Sequence, residues 1–312
     1  MKEIRTEGLR RLIGESFGFN LGSQKLICES ASCDNEMSQD SSAIEIVDEA
    51  LKERAGRRLL AEEINKQKNL EDVVQRADDI LQAEKYENTQ EVLQGRTDQG
   101  WVDDCLDGAG KAYDDNLKDY WAKLLAGEIK NPGFYSKRTI QLMKSLSKND
   151  ADKIRKMCQY IVYNYDNTDA VILRYNPSDY TFDEISFLME LRLLNYNHSI
   201  VKQYRFDGND GFGFFRKKDV GLFVKMKRKE YNFPIYSFTE LGKEILTIID
   251  DVDVNRKYLK DFSKSITEKK DFLEVTCGDL VEVGDHYQFA KNDNYFEIPV
   301  IGNDISLDTR KD

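Results

Sequence analysis

A mainly α chain with a smaller α+β part is predicted by three observations. Apolar residues recur at three- and four-residue steps through 43–94 and 101–162. After residue 181 the rhythm changes to short β-branched and aromatic runs separated by Gly, Asp and Asn. From about residue 267 short strand-like runs separated by turns close the chain. The expected order is an N-terminal and central helical bundle, a module of mixed strands and helices, and a short β-rich tail.

Residues 1–42 form the first expected segment, weakly structured, with a short helix around Ile4, Leu9, Leu12 and Ile13 followed by Gly- and Ser-rich linker. Residues 43–96 are expected as a helical arm. Ile44, Val47, Leu51, Ala55, Leu59, Leu60 and Ile64 keep helical spacing, and Leu70, Val73, Val74, Ala77, Ile80 and Leu81 resume it. The apolar-free residues 66–69, with Asn69 as a cap, predict a break into two helices there. The apolar face fits a hairpin or a second subunit. Thirteen acidic and eight basic residues over 41–94 read mainly as a solvated face.

Residues 97–170 are the expected central helical domain. Trp101, Val102, Cys105, Ala109, Ala112 and Leu117, then Trp121, Leu124, Leu125 and Ile129, describe helices that bury one broad face. Pro132 removes a donor and restricts Asn131, while Gly133 tolerates the reversal that follows. Ser136 caps the next helix, with Ile140, Met143 and Leu146 inward. Ser147 and Asp150 form a capping-box-like pair that opens a helix running through Ile154, Met157, Cys158, Ile161 and Val162. Trp101, Trp121, Leu125, Pro132, Gly133, Ser136, Ser147 and Asp150 are thus the expected scaffold or interface residues.

These residues also carry a resemblance. Trp121-Ala122-Lys123-Leu124-Leu125-Ala126-Gly127-Glu128-Ile129, Asn131-Pro132-Gly133, Ser136, Arg138-Thr139, Leu146-Ser147 and Asp150-Ala151 closely resemble the signature of a bacterial family of unknown function, DUF2806, over residues 98–165. Phe134-Tyr135-Ser136 departs from that family's Ser-Phe-Ser. More loosely, the Leu146-Ser147-x-x-Asp150-Ala151 element and the later wing-like region resemble the alpha component of abortive-infection systems, which implies an anti-phage defence setting. The resemblance implies no catalytic residues.

Residues 181–266 have a different rhythm. Phe182, Ile185, Leu188, Met189, Leu191 and Leu194 predict a helix; 199–206 and 212–215 predict strands joined by an Asp-Gly hairpin turn; 221–226 and 235–239 predict two more. Thr239 caps a helix that buries Leu241, Ile245, Leu246 and Ile249. That order resembles a winged helix with a long wing. Between 200 and 232 nine basic residues face four acidic ones. Arg216, Lys217, Lys218, Lys225, Lys227, Arg228 and Lys229 are therefore the candidate contacts for DNA, RNA or an acidic protein surface, with Phe214, Phe215 and Phe223 beside them for a base or minor groove. The tail, 267–312, predicts short strands at 272–275, 280–283, 287–290 and 295–298, separated by turns at 277–279, 284–286 and 291–294 and lying as a small sheet on the preceding module or as an oligomer contact.

Chemistry is sparse. The chain has no phosphate-loop, nucleophile-elbow or HExxH motif, and its two histidines, His198 and His286, stand far from each other and from any cysteine pair. No catalytic residue, metal ligand or cofactor is expected. The enzymatic alternative is a Mg²⁺-dependent nuclease using Asp103, Asp107, Asp115, Asp119 and Glu128, whose i, i+4 spacings share helix faces. A net charge of −11, five scattered cysteines and no long apolar span predict a cytoplasmic, non-membrane protein that acts as a homo-oligomer or on a bacterial protein partner.

Overall fold

The computed structural model describes residues 9, 49–84, 98–164, 169–174, 180–195, 201–205, 211–226, 230–267, 272–284 and 286–298. The chain divides into two compact units, Met1–Lys144 and Ser145–Asp312. The division falls inside the 97–170 segment rather than at either of its ends. Of the first 42 residues only Leu9 is described, and it is buried.

The first unit is helical. Helix α1 (Glu49–Ala83) runs unbroken for 35 residues, so the expected break at 66–69 is absent. No Gly or Pro stands at 66–69, and Lys and Gln are good helix formers. Asn69, the expected cap, is instead buried and donates its amide to the Gly110 carbonyl at 3.1 Å. Helices α2 (Gln99–Gly110) and α3 (Asp115–Lys130) follow, capped by Asp98 and Asp114, which accept from the Gly100 and Asn116 amides. Leu70, Val73, Val74, Ala77 and Leu81 of α1 are buried, as are Trp101, Val102, Cys105 and Leu106 of α2 and Trp121, Leu124 and Leu125 of α3. Helix α4 (Lys137–Ser145) adds Ile140 and Met143 to the buried set.

The Asn-Pro-Gly interruption is held from inside. Gly133 adopts a φ of 84°, and the buried Glu128 accepts from the Gly133 and Tyr135 amides at 2.6 and 3.2 Å. Trp101 donates its indole N–H to the Tyr135 carbonyl at 2.9 Å. A carboxylate and an indole thus satisfy a turn that a proline deprived of one of its own donors.

The second unit mixes helices with one nine-stranded sheet in the order β3-β6-β2-β1-β4-β5-β7-β8, with β9 also on β7. Helix α5 (Lys148–Cys158) opens on the expected box: Ser147 and Asp150 each accept from the other's backbone N–H. It stops at Cys158, because Ile161 and Val162 belong to β1 (Ile161–Asn164), where β-branched residues pair with β2 (Ala170–Leu173). Helix α6 (Phe182–Glu190) is shorter than predicted. Arg192 turns left-handed at φ 59°, and Leu194 bridges to Phe238.

The expected Asp-Gly hairpin is not formed, although residues 206–210 lie outside the described set. Strand β3 (Val201–Arg205) pairs with β6 (Glu230–Ser237), whereas β4 (Gly211–Lys217) pairs with β5 (Val220–Met226) and β1. The true hairpin turns at Lys218 and Asp219, where Lys218 has φ 51°. Thr239 caps α7 (Glu240–Ile249) as expected, accepting from the Gly242 amide. Helix α8 (Arg256–Thr267) packs on β7 and β5.

The tail is no separate small sheet. Strand β7 (Phe272–Val283) runs straight through the predicted turn at 277–279 and extends the sheet from β5, with β8 (His286–Phe289) and β9 (Phe296–Ile298) on it. Gly278 lies opposite Gly221 in the ladder, and a Cβ there would meet Tyr295 Cα at 3.2 Å. That glycine serves close approach rather than a turn. The chain is mainly helical with a smaller strand-containing region, but the sheet is wider than a wing.

Candidate interaction site

The expected scaffold residues are placed as structural members. Trp101, Trp121 and Leu125 are buried; Pro132 and Gly133 make the turn; Ser136 precedes α4, its hydroxyl 3.3 Å from that of Thr139; Ser147 and Asp150 cap α5.

The five carboxylates of the enzymatic alternative do not converge. Asp107 faces Lys66, Lys111 and Lys144. Partial burial pulls its pKa up, but hydrogen bonds from the three lysines prevail and hold it at about 2. Asp115 and Asp119 both pair with Arg76, at 2.9 and 2.5 Å. The same guanidinium also holds Asp72, whose pKa is lowered chiefly by that hydrogen bond. Asp103 accepts from Gln99, and Glu128 is committed to its turn. Lysines, an arginine and neutral N–H donors already hold these carboxylates, and among the described residues no group of three His, Cys, Asp or Glu side chains is arranged to hold an ion.

The basic segment is dispersed as well. Lys217 is buried: its ammonium donates to Asp250 Oδ1 at 2.5 Å and to the Cys158 carbonyl at 2.6 Å, and Asp250 Oδ2 accepts from the Tyr163 hydroxyl at 2.8 Å. Burial, then the Asp250 charge, pushes the Tyr163 pKa up. Lys218 pairs with Asp253 and the Asp251 carbonyl; Arg216 lies 5.1 Å over the Tyr287 ring; Lys225 faces Glu274 in the ladder. Lys227, Arg228 and Lys229 lie outside the described residues. Phe214, Phe215 and Phe223, expected beside a nucleic acid, are buried, and Phe214 and Phe223 pack with Leu280. Adjacent residues of these strands are buried alike, as in a sheet covered on both faces.

The most open surface of the helical unit is the first half of α1. Every residue from Ala50 to Lys68 is exposed except the half-buried Ala55 and Lys66. Leu51, Leu59, Leu60 and Ile64 are 51, 55, 64 and 45% exposed. Their helical spacing was legible in sequence; the break predicted at 66–69 concealed that they sit on one rigid rod with the buried half.

No helix among the described residues is long and apolar enough to cross a membrane. A family model described as a protein of unknown function (DUF2806) matches residues 53–263, about two thirds of the chain and part of both units. Neither the curated proteins nor the solved structures give a match.

Proposed function

The chain belongs to the DUF2806 family, and on that premise we propose that it works by association, as an assembly or regulatory protein without chemistry of its own. The exposed half of α1 carries this reading. Four large aliphatic side chains stand exposed within about four turns of this helix, a density of exposed apolar surface that marks a partner site.

A second copy of the chain fits it. Leu59 continues the line of Leu70, Val73 and Ala77, which the helical unit buries further along. Arg58 and Glu62 lie on one flank of that line, so an antiparallel second helix sets each arginine beside the other copy's glutamate. Within one helix the same two residues are 3.6 Å apart and largely exposed, an exchangeable pair. The defence setting is supported only by the likeness of the Leu146-Ser147-x-x-Asp150-Ala151 element and of the later wing-like region. Engagement of Arg216, Lys217 and Lys218 within the fold weighs against a nucleic-acid role for that segment.

Light scattering is expected to give twice 36.2 kDa for the wild-type chain and the single-chain mass for Leu59→Glu/Leu60→Glu. A single-chain mass for the wild type at micromolar concentration sinks the reading.

A further inference from the structure

We infer that a second face of the same helical arm binds the phosphodiester backbone of a nucleic acid. Successive residues of an α-helix advance by about 100°. On that wheel Ala50, Arg54, Arg57, Arg58, Ala61, Asn65 and Lys68 share one arc of about 100°. Nothing else in residues 50–68 falls within it. The arc holds four cations, two alanines and an asparagine, with no carboxylate and no large apolar side chain, and all seven residues are exposed.

Composition separates this strip from its surroundings. Residues 50–68 carry six basic and three acidic residues in a chain whose net charge is −11. Beyond Lys68 the same arc meets Asp72, Gln75, Arg76 and Asp79, and Arg76 is held by Asp72, Asp115 and Asp119, so the exposed positive strip ends where the helix enters the core. The small side chains between the cations let a phosphate backbone approach the helix, and arginine hydrogen-bonds phosphate in a fork. Arg57 and Arg58 hold Glu53 and Glu62 at 2.5 and 3.6 Å, but both pairs are largely exposed and of the kind that exchanges readily for a stronger anion.

A lipid surface fits the arm less well. A helix lying in a membrane interface needs one clean apolar face bordered by cations. Here Leu51 and Leu60 project in opposite directions, and Glu62 and Glu63 flank Leu59. Nucleic acid needs only the cationic strip. Self-association and this inference are tested separately, because Leu59 lies on the far side of the helix from Arg54 and the charge variants leave Arg58, which borders both faces, unchanged.

The test is fluorescence anisotropy of a labelled 20-base-pair DNA duplex with the full chain across a salt series. Wild type is expected to bind with a steep salt slope. Arg54→Glu/Arg57→Glu/Lys68→Glu is expected to weaken binding at least tenfold and flatten the slope by about three, while keeping the wild-type mass and helical circular dichroism. Arg54→Lys/Arg57→Lys, which keeps charge, is expected to retain most of the affinity. Unchanged binding in the triple glutamate variant overturns the inference, as does loss only on reversing Lys227, Arg228 and Lys229. Binding to vesicles of anionic phosphatidylglycerol without binding to the duplex also overturns it, in favour of a membrane role. A wild type that binds the duplex as a single-chain species refutes self-association and leaves this inference standing.

Discussion

At Lys217 a residue chosen for its charge turns out to be an internal fixture. Its side chain and that of Asp250 are each 3% exposed, and Tyr163 completes the set. Removing one member strands the other. Lys217→Met is expected to destabilise the second unit by about 3 kcal/mol in urea unfolding, and Lys217→Met/Asp250→Leu by clearly less. Equal losses would mean the pair is not a mutual neutralisation. Gly108 makes a parallel case in the first unit, since a Cβ there would come within 2.4 Å of the Trp121 ring. Gly108→Ala is expected to cost about 2 kcal/mol, read as a lowered thermal midpoint; an unchanged midpoint would show that the indole has room to move. Sequence spacing marked Trp121 as a core residue, but nothing local to residue 108 announces that another helix supplies its missing side chain.

Elements were legible where punctuation is local and hidden where it is tertiary. The turn at Asn131, Pro132 and Gly133 and the caps at Ser147 and Thr239 were readable because the residues that make them are neighbours in the chain. Residues 66–69 misled because Asn69 finds its partner at Gly110, forty-one positions away. Strand β2 was missed for a related reason: Ala170, Val171, Ile172 and Leu173 are all buried and show no alternation. The lysines around Asp107 tie α1 to α2 and give that join a pH dependence. The folded Asp107 pKa of about 2 lies below its ordinary 3.8, so its stabilisation is complete above pH 4 and disappears as pH falls through 2. Its side chain is 35% exposed and screened, which limits the effect to less than about 1 kcal/mol. The thermal midpoint of Asp107→Asn should accordingly lie below that of wild type at pH 6 and converge with it near pH 2; a constant difference would exclude the ion cluster as the cause.

Across the whole molecule the sequence separated helical from mixed regions but not the units themselves. The unit boundary between Lys144 and Ser145 falls at the last residue of α4, just before the Ser147 cap of α5, in a stretch whose composition does not change. The tail looked like short strands of a small sheet because Gly278 imitates a turn, yet β7 covers the whole of β5. A chain ending at residue 267 would retain α8 but expose that edge, with Leu222, Val224 and Met226 lining it. Such a truncation is expected to aggregate on expression. A monodisperse, cooperatively melting product would show that the tail is an accessory.

The dependence of β5 on β7 sets a timetable for synthesis. Forty-five residues separate the end of β5 from the start of β7, so at elongation rates of roughly 5 to 20 residues per second the ladder waits about 2 to 9 seconds for its neighbour. Throughout that interval the nascent polypeptide displays a sticky, half-finished border beside other growing chains. A ribosome-associated chaperone that shields it would raise the yield of correctly folded protein without ever touching the finished molecule.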